Sequence, residues 1–236
     1  MDALILAAGL GSRLKHLTEE KPKAMTEYNG KAIISYQIEA LLSQKISRII
    51  VVTGFKGDVL KKFILSQDYQ NVEIIFIHNE KFKNTNSAYS FMTAIENITS
   101  STYIHLNCDI LFSEETLNKV ITSRYENVIA ARKDLKFSNA MENIISLDKR
   151  IINMSLRQTP QSSFKGFGLA KISRNAIEEN VENYHRLIPR IQKRENYYGL
   201  IRMSLGRIDY YLEEFNKKQL AEINTIADLD ECKFNL

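Results

Sequence analysis

Ala3-Leu4-Ile5-Leu6-Ala7-Ala8 is an uninterrupted apolar run that opens directly into Gly9-Leu10-Gly11-Ser12-Arg13. The run predicts a buried strand, and the glycines after it let the backbone turn sharply and come close to a ligand, with successive N–H groups facing an anion. Arg13 and Lys23 add full positive charge to the same stretch. Strand, glycine loop, arginine and lysine in that order point to nucleotide phosphates.

The pattern behind this opening is an alternation. Ile33, Ile34, Ile38, Leu41 and Leu42 recur at helical spacing, and Ile49-Ile50-Val51-Val52 follows as a second buried strand. The same reading predicts a helix over 59–65, a strand over 72–77, a helix over 87–98 and a strand over 103–106. Strands alternating with helices imply right-handed crossovers, hence an α/β fold with a Rossmann-like, mostly parallel mixed sheet flanked by helices. Ligands of such sheets lie beyond the carboxyl ends of the strands. That rule puts residues 9–13 and Asn107-Cys108-Asp109 on one rim. From residue 128 the pattern shifts to strands at 128–132, 144–147, 151–154 and 167–172, with Asp148-Lys149-Arg150 as a turn. A helical stretch over 185–205 and a short helix over 225–232 complete the reading. Residues 1–236 are expected to form a single domain, with a nucleotide-binding half (1–125) and a half that builds the second-substrate pocket (126–236).

Composition narrows the function classes. With 44% hydrophobic residues over 236 positions the chain can bury a good core, and three prolines and nine glycines leave no linker. The net charge of +4 is spread among glutamates, without a basic stripe interleaved with aromatics, so nucleic acid is not an expected partner. Such an excess suits small anionic substrates. Cys108 and Cys232 lie far apart with no histidine at metal-ligand spacing, which argues against a disulfide or a zinc site. No apolar run is long enough for a secretory leader or a membrane span, so a cytoplasmic location is expected.

Two familiar phosphate motifs fail. A dinucleotide fingerprint needs a third glycine where Leu14 stands, and no G-x-x-x-x-G-K-[ST] string occurs. What remains is Gly9, Gly11, Ser12, Arg13 and Leu14, followed by Lys21-Pro22-Lys23. It resembles the signature of the sugar-nucleotidyltransferase-like family, G-x-G-[ST]-R-[LM] and then K-P-K. Molybdenum-cofactor guanylyltransferases have a related opening with the lysine closer to the arginine, and the spacing here is that of the longer-loop branch. The resemblance covers nearly the whole chain, strongly over 3–23 and poorly over 128–205. It implies the nucleotide-diphospho-sugar transferase fold, nucleotidyl transfer to a phosphorylated acceptor with release of pyrophosphate, and Mg²⁺ as cofactor.

The resemblance also implies roles. Arg13, Lys23 and Asp109 form the catalytic set, and Leu6, Ala7, Ala8, Gly9, Gly11 and Ser12 cradle the nucleotide with Arg13 and Lys23. Asp109, expected to lead into a helix, matches the family's metal-holding aspartate; position alone reads equally as a turn aspartate. A second metal ligand comes from the pattern E-[IV]-[DN]-[ST]-x-x-D-[LY], matched by Glu222-Ile223-Asn224-Thr225-Ile226-Ala227-Asp228-Leu229 with Asn224 at the ligand position. The same residues read as a helix cap in which Asp228 completes a capping box. Cytidylyltransferases of the phosphocholine type usually have aspartate at this position and some sugar-1-phosphate uridylyltransferases have asparagine. A neutral ligand holds magnesium more weakly.

Asn84-Thr85-Asn86-Ser87-Ala88-Tyr89-Ser90 is similar to an asparagine-rich segment of the phosphocholine cytidylyltransferase-like branch. On that basis Asn86 and Ser90 are assigned to the nucleotide and Tyr89 to the acceptor, and Asn107, in the similar stretch 107–109, is also assigned to the acceptor; Asn86 or Ser87 is also a good N-cap. The chain has no tryptophan, the best aromatic face for a quaternary ammonium. Tyr197-Tyr198 stands where relatives place a Tyr-Trp pair, and Glu142 lies in the region of another cage aromatic. Glu142 suits a primary ammonium, and reads equally as a solvated strand residue. No histidine is required, because a phosphate or phosphonate oxygen is already ionised; His16, His78, His105 and His185 look structural.

The resulting expectation is a Mg²⁺-dependent cytidylyltransferase, monomeric or homodimeric and feeding surface-polysaccharide synthesis. It would take CTP and a small acceptor of the phosphoglutamine, aminoethylphosphonate or phosphocholine type. The alternatives are a hexose-1-phosphate uridylyl- or thymidylyltransferase and a non-catalytic nucleotide-binding regulatory domain.

Overall fold

In the computed structural model, which describes residues 1–232 and 234, the opening apolar run is strand β1 (Asp2–Ala7), buried along its whole length. After the phosphate-loop region come a small hairpin, β2 (Glu27–Tyr28) and β3 (Lys31–Ala32), then α1 (Ile33–Ser43), β4 (Arg48–Thr53), α2 (Gly57–Ser66) and β5 (Glu73–His78). Next are α3 (Ser87–Ala94), β6 (Thr102–Asn107), β7 (Ile110–Phe112) and α4 (Glu114–Thr122). The second half holds β8 (Val128–Arg132), β9 (Asn143–Leu147), β10 (Arg150–Ser155) and β11 (Phe164–Ser173). It ends with α5 (Arg174–Arg186), α6 (Pro189–Gln192), α7 (Tyr197–Ser204), β12 (Tyr211–Phe215), β13 (Leu220–Glu222) and α8 (Ile226–Glu231).

Nine strands form one mixed sheet in the order β5-β4-β1-β6-β11-β8-β12-β10-β9. The β5, β4, β1 and β6 strands are parallel, as expected of βαβ crossovers. Antiparallel β11 joins them to the second half, where β8 and β12 are again parallel. Because successive strand residues face opposite sides, β1 feeds two cores. Ala3, Ile5 and Ala7 pack under residues of α1, α2 and α4, and Leu4 and Leu6 under residues of α3, α5 and α7. From Ala3 on the strand is purely apolar, as such double burial requires, and buried Asp2 at its start accepts from the backbone N–H groups of Thr99 and Ser100.

Three sequence expectations are corrected. The stretch 185–205 is not one helix: Pro189 begins α6 and the Asn196 side chain caps α7 by accepting from Gly199 N–H. Helix α5 was not anticipated, because its buried face runs through Ala176, Ile177, Asn180, Asn183 and Tyr184, and the two asparagines hide the apolar period. Asp109 does not lead straight into a helix. It lies in a tight turn between β6 and β7, and β7 pairs antiparallel with β13, Ile110 opposite Glu222. That pairing carries the segment after β13 onto the rim of the sheet. Among the described residues no helix is long and apolar enough to cross a membrane.

Candidate active site

A cavity of about 760 Å³ opens beyond the carboxyl ends of β1 and β6 and extends along β11 to α7. Leu6, Ala8, Gly9, Gly11, Ser12 and Arg13 line one side of it. Ala7 does not: its side chain points into the core beneath the sheet, which leaves only its backbone for a ligand. Gly11 has φ +65°, a left-handed conformation that side chains resist, and a Cβ there would meet Lys23 Cβ at 3.0 Å. The glycine therefore sets the seat of the lysine. Nothing lies within 4 Å of a Cβ built at Gly9, so that position borders open cavity.

Residues from three distant segments meet at the cavity floor. The Lys23 ammonium pairs with Asp109 Oδ2, and also donates to Asn224 Oδ1 at 2.8 Å. Arg13 Nη2 donates to the same Asn224 oxygen at 2.6 Å. Asp109 Oδ1 is buried and, among the described residues, without a hydrogen-bond partner. Burial pushes the Asp109 carboxyl above its ordinary range; Lys23 pulls the other way and nearby Glu222 adds to the rise. Glu222 itself pairs with Lys165; burial pushes its carboxyl up, but Lys165 together with Lys23 and Asn224 holds it below its usual range.

The local folding that seats Asn224 satisfies both readings of its motif. Thr225 Oγ1 accepts from Asp228 N–H at 3.2 Å, while Asp228 Oδ2 accepts from the backbone N–H groups of Asn224 and Thr225 at 2.9 and 2.7 Å. This is a capping box. By fixing the start of α8 it fixes Asn224 against Arg13 and Lys23. The Ile223 N–H donates to Asp109 O at 2.9 Å and ties the segment to the β6–β7 turn.

Helix α3 presents Asn86 and Ser90 to the cavity. Asn86 Oδ1 accepts from Ser87 N–H at 2.8 Å, and its amide donates to Arg194 O at 3.1 Å. Tyr89 is not part of the cavity wall. It lies off that face of α3, under the Lys81 ammonium 5.6 Å from its ring centroid.

Tyr197 is likewise corrected. It is 1% exposed, shares a 2.7 Å hydrogen bond with Tyr103 and stacks on His105 at 3.9 Å, all within the upper core. One helical step turns the next residue through about 100°, so Tyr198 reaches the cavity wall, its hydroxyl donating to Phe167 O. Asn107 also lines the cavity. A Cβ at Gly168 would collide with the Asn107 side chain, so that glycine makes room for it.

Glu142 faces the cavity, but not as a solvated residue. Its Oε1 accepts from Asn196 Nδ2 at 3.1 Å, and its Oε2 from Arg202 Nη1 at 2.6 Å. Arg202 also reaches Glu195 at 3.1 Å. Burial raises the Glu142 carboxyl above its ordinary range while Arg202 draws it back. Two carboxylates thus share one guanidinium, leaving the cluster one negative charge in excess.

Lys165, Asn79 and Asn196 are wall residues that the sequence reading did not single out, and Glu222 entered it only as part of a motif. For Lys165 a signal was present: a lysine inside the otherwise apolar Phe164-Lys165-Gly166-Phe167-Gly168. A hard cation would find oxygen donors at Asp109 Oδ1 and Asn224 Oδ1. No group of three His, Cys, Asp or Glu side chains suited to a metal occurs among the described residues.

Comparison with known proteins gives the family. Residues 3–159 match the MobA-like NTP transferase domain. The chain belongs to that family. This MobA-like NTP transferase is 30% identical over 241 residues to the CTP:phosphoglutamine cytidylyltransferase of Campylobacter jejuni, covering 95% of this chain and 93% of the relative. It is 26% identical over 231 residues to the choline-phosphate cytidylyltransferase of Haemophilus influenzae, covering 97% and 94%. The structure of the inositol-1-phosphate CTP transferase from T. maritima superposes with a TM-score of 0.80 at 19% identity, over 98% of this chain and 91% of that one. That likeness establishes the nucleotide-diphospho-sugar transferase fold.

Proposed function

We propose that this MobA-like NTP transferase moves CMP from CTP to a small acceptor bearing a phosphate or phosphonate, with release of pyrophosphate. The observation that carries the proposal is the convergence of Arg13, Lys23, Asp109 and Asn224 at one end of the cavity, with an unpartnered carboxylate oxygen among them. The choice of CTP over other nucleotides rests on the two cytidylyltransferases above.

In this reading the half 1–125 holds the nucleotide and the half 126–236 the acceptor. Loop amides and Arg13 bind the departing β- and γ-phosphates, and Lys23 neutralises the α-phosphate. An acceptor oxygen, already ionised, attacks the α-phosphorus in line; its P–O bond forms as the α–β bridging bond breaks and pyrophosphate leaves. The residues fit Mg²⁺, which commonly takes one or two carboxylates together with substrate phosphates and waters. Asp109 Oδ1 and Asn224 Oδ1 would hold it, and when bound it supplies positive charge to the phosphates. Lys23 and Asp109 neutralise each other without ligand, so substrate phosphates compete for the lysine and free the carboxylate. At the far end Glu142, with its excess negative charge, faces the acceptor's ammonium.

The test is pyrophosphate release with Mg²⁺ for CTP, UTP, dTTP and GTP against phosphoglutamine, 2-aminoethylphosphonate, phosphocholine and glucose-1-phosphate. Turnover confined to CTP with an amine-bearing acceptor is expected. Asn224 favours a second reading, a hexose-1-phosphate uridylyl- or thymidylyltransferase, and turnover only with UTP or dTTP and glucose-1-phosphate would replace the first by it. Nucleotide binding with no turnover for any pair would favour a non-catalytic regulatory domain.

A further inference from the structure

Three side chains of fixed positive charge line the cavity among the described residues: Arg13, Lys23 and Lys165. The first two come from the N-terminal loop and converge on Asn224. Lys165 comes from β11, and the mechanism above gives it no task.

Its surroundings are those of a built site. The Lys165 ammonium pairs with Glu222, and the two side chains are 13% and 20% exposed. It also sits 4.3 Å from the centroid of the Phe167 ring, a cation–π contact that fixes the lysine stem. Lys165 lies opposite Asn143 across β9, and the next residue's N–H, that of Gly166, donates to Glu142 O at 2.8 Å. Glu222 precedes Asn224 by two positions, so in an extended segment both face the same side. The wall therefore runs from Arg13 and Lys23 at Asn224, through Glu222 and Lys165, to Glu142. Cation at the reacting end and carboxylate at the far end is the polarity of a short phosphate-bearing amine turned end for end. A sequestered lysine–carboxylate pair roughly breaks even in stability, so folding alone gives little reason to keep one in a cavity wall.

We infer that Lys165 binds the acceptor's phosphate or phosphonate dianion, with Glu222 orienting it. An ammonium has three N–H donors. One keeps Glu222 while the others turn to the incoming oxygens, so docking does not require the pair to break. The inference rests on the cytidylyltransferase reading and deepens it, by naming the residue that makes a dianionic group a requirement for the acceptor.

The experiment uses the full chain with Lys165→Met, which keeps the aliphatic stem against Phe167. Pyrophosphate release is followed while phosphoglutamine, 2-aminoethylphosphonate and phosphocholine are each varied at saturating CTP, and then while CTP is varied at a saturating level of the best of them. The KM for the acceptor should rise at least about tenfold, as loss of a charge-assisted hydrogen bond implies, with the KM for CTP within about twofold. Lys165→Arg should recover part of the loss. Because Lys165→Met leaves the Glu222 carboxylate buried and alone, the double variant Lys165→Met/Glu222→Gln serves as the folded control and should show the same acceptor defect at a wild-type melting temperature. An acceptor KM that stays put in a folded variant, or KM values that rise equally for both substrates, would overturn the assignment. A wild-type chain that binds CTP calorimetrically yet turns over none of the three acceptors would sink the cytidylyltransferase reading first, and the inference with it.

Discussion

The two ends of the cavity are built differently. At the end proposed for the nucleotide, the cavity-lining side chains sit on loops that leave buried parallel strands, and Leu4 and Ile5 in the strand are fully buried while Gly9 to Arg13 border the cavity. At the end proposed for the acceptor, strands and helices pack the core and line the cavity at once. Helix α7 sends Tyr197 into the core and Tyr198 to the cavity, and β11 carries Lys165 two residues before Phe167. Chemistry separated from scaffold can be altered without unfolding. Chemistry interleaved with scaffold cannot be altered so freely.

The harshest test of this contrast is Lys23→Ala. Removal of the cation that faces the α-phosphate should lower kcat by about 10²–10³-fold, with a melting curve that remains cooperative. A rate within a few fold of wild type, measured by pyrophosphate release, would remove the nucleotide-end mechanism. Glu142→Gln probes the other end. It should raise the KM of an ammonium-bearing acceptor about tenfold, the loss expected for a charged hydrogen bond, and leave the KM for CTP where it was. An equal rise in the KM for CTP would mean that Glu142 only braces Arg202.

The smallest effect concerns the scaffold shared by both ends. His105 is fully buried between Tyr103 and Tyr197, and neither ring nitrogen has a hydrogen-bond partner among the described residues. Burial lowers its pKa to about 3, against 6.5 for the free side chain. The unfolded chain therefore gains a proton below pH 6.5 that the folded chain refuses. This share of stability is complete above about pH 6.5 and is lost as pH falls toward about 3, at about 1.4 kcal/mol per pH unit. His105→Phe keeps the stacking and removes the titration. The drop in melting temperature between about pH 7.5 and about pH 5 should be smaller in the variant than in the wild type. Parallel curves would show that His105 does not set the acid sensitivity.

The same contrast explains what could be read in advance. The N-terminal alternation was legible because β1, β4 and β6 are buried, mostly apolar runs. Asn224 was legible through its motif, and the capping box that obscured it is what positions it. At the acceptor end, the meaning of Glu142 depends on Arg202, 60 residues later, and that of Lys165 on Glu222, 57 residues later. No local spacing encodes such partners. Tyr89 and Tyr197 are assigned to the acceptor through their resemblance to segments of relatives, and helical rotation sends each away from the cavity.

The adjacency of Tyr197 and Tyr198 has an evolutionary side. Neighbouring residues answer to different demands: Tyr197 is fixed inside the core, whereas Tyr198 borders the cavity. On the proposed function, position 198 can change with the acceptor while position 197 stays anchored against Tyr103 and His105. The acceptor wall is then free to diversify one residue at a time on a helix whose other face is held fixed by the core.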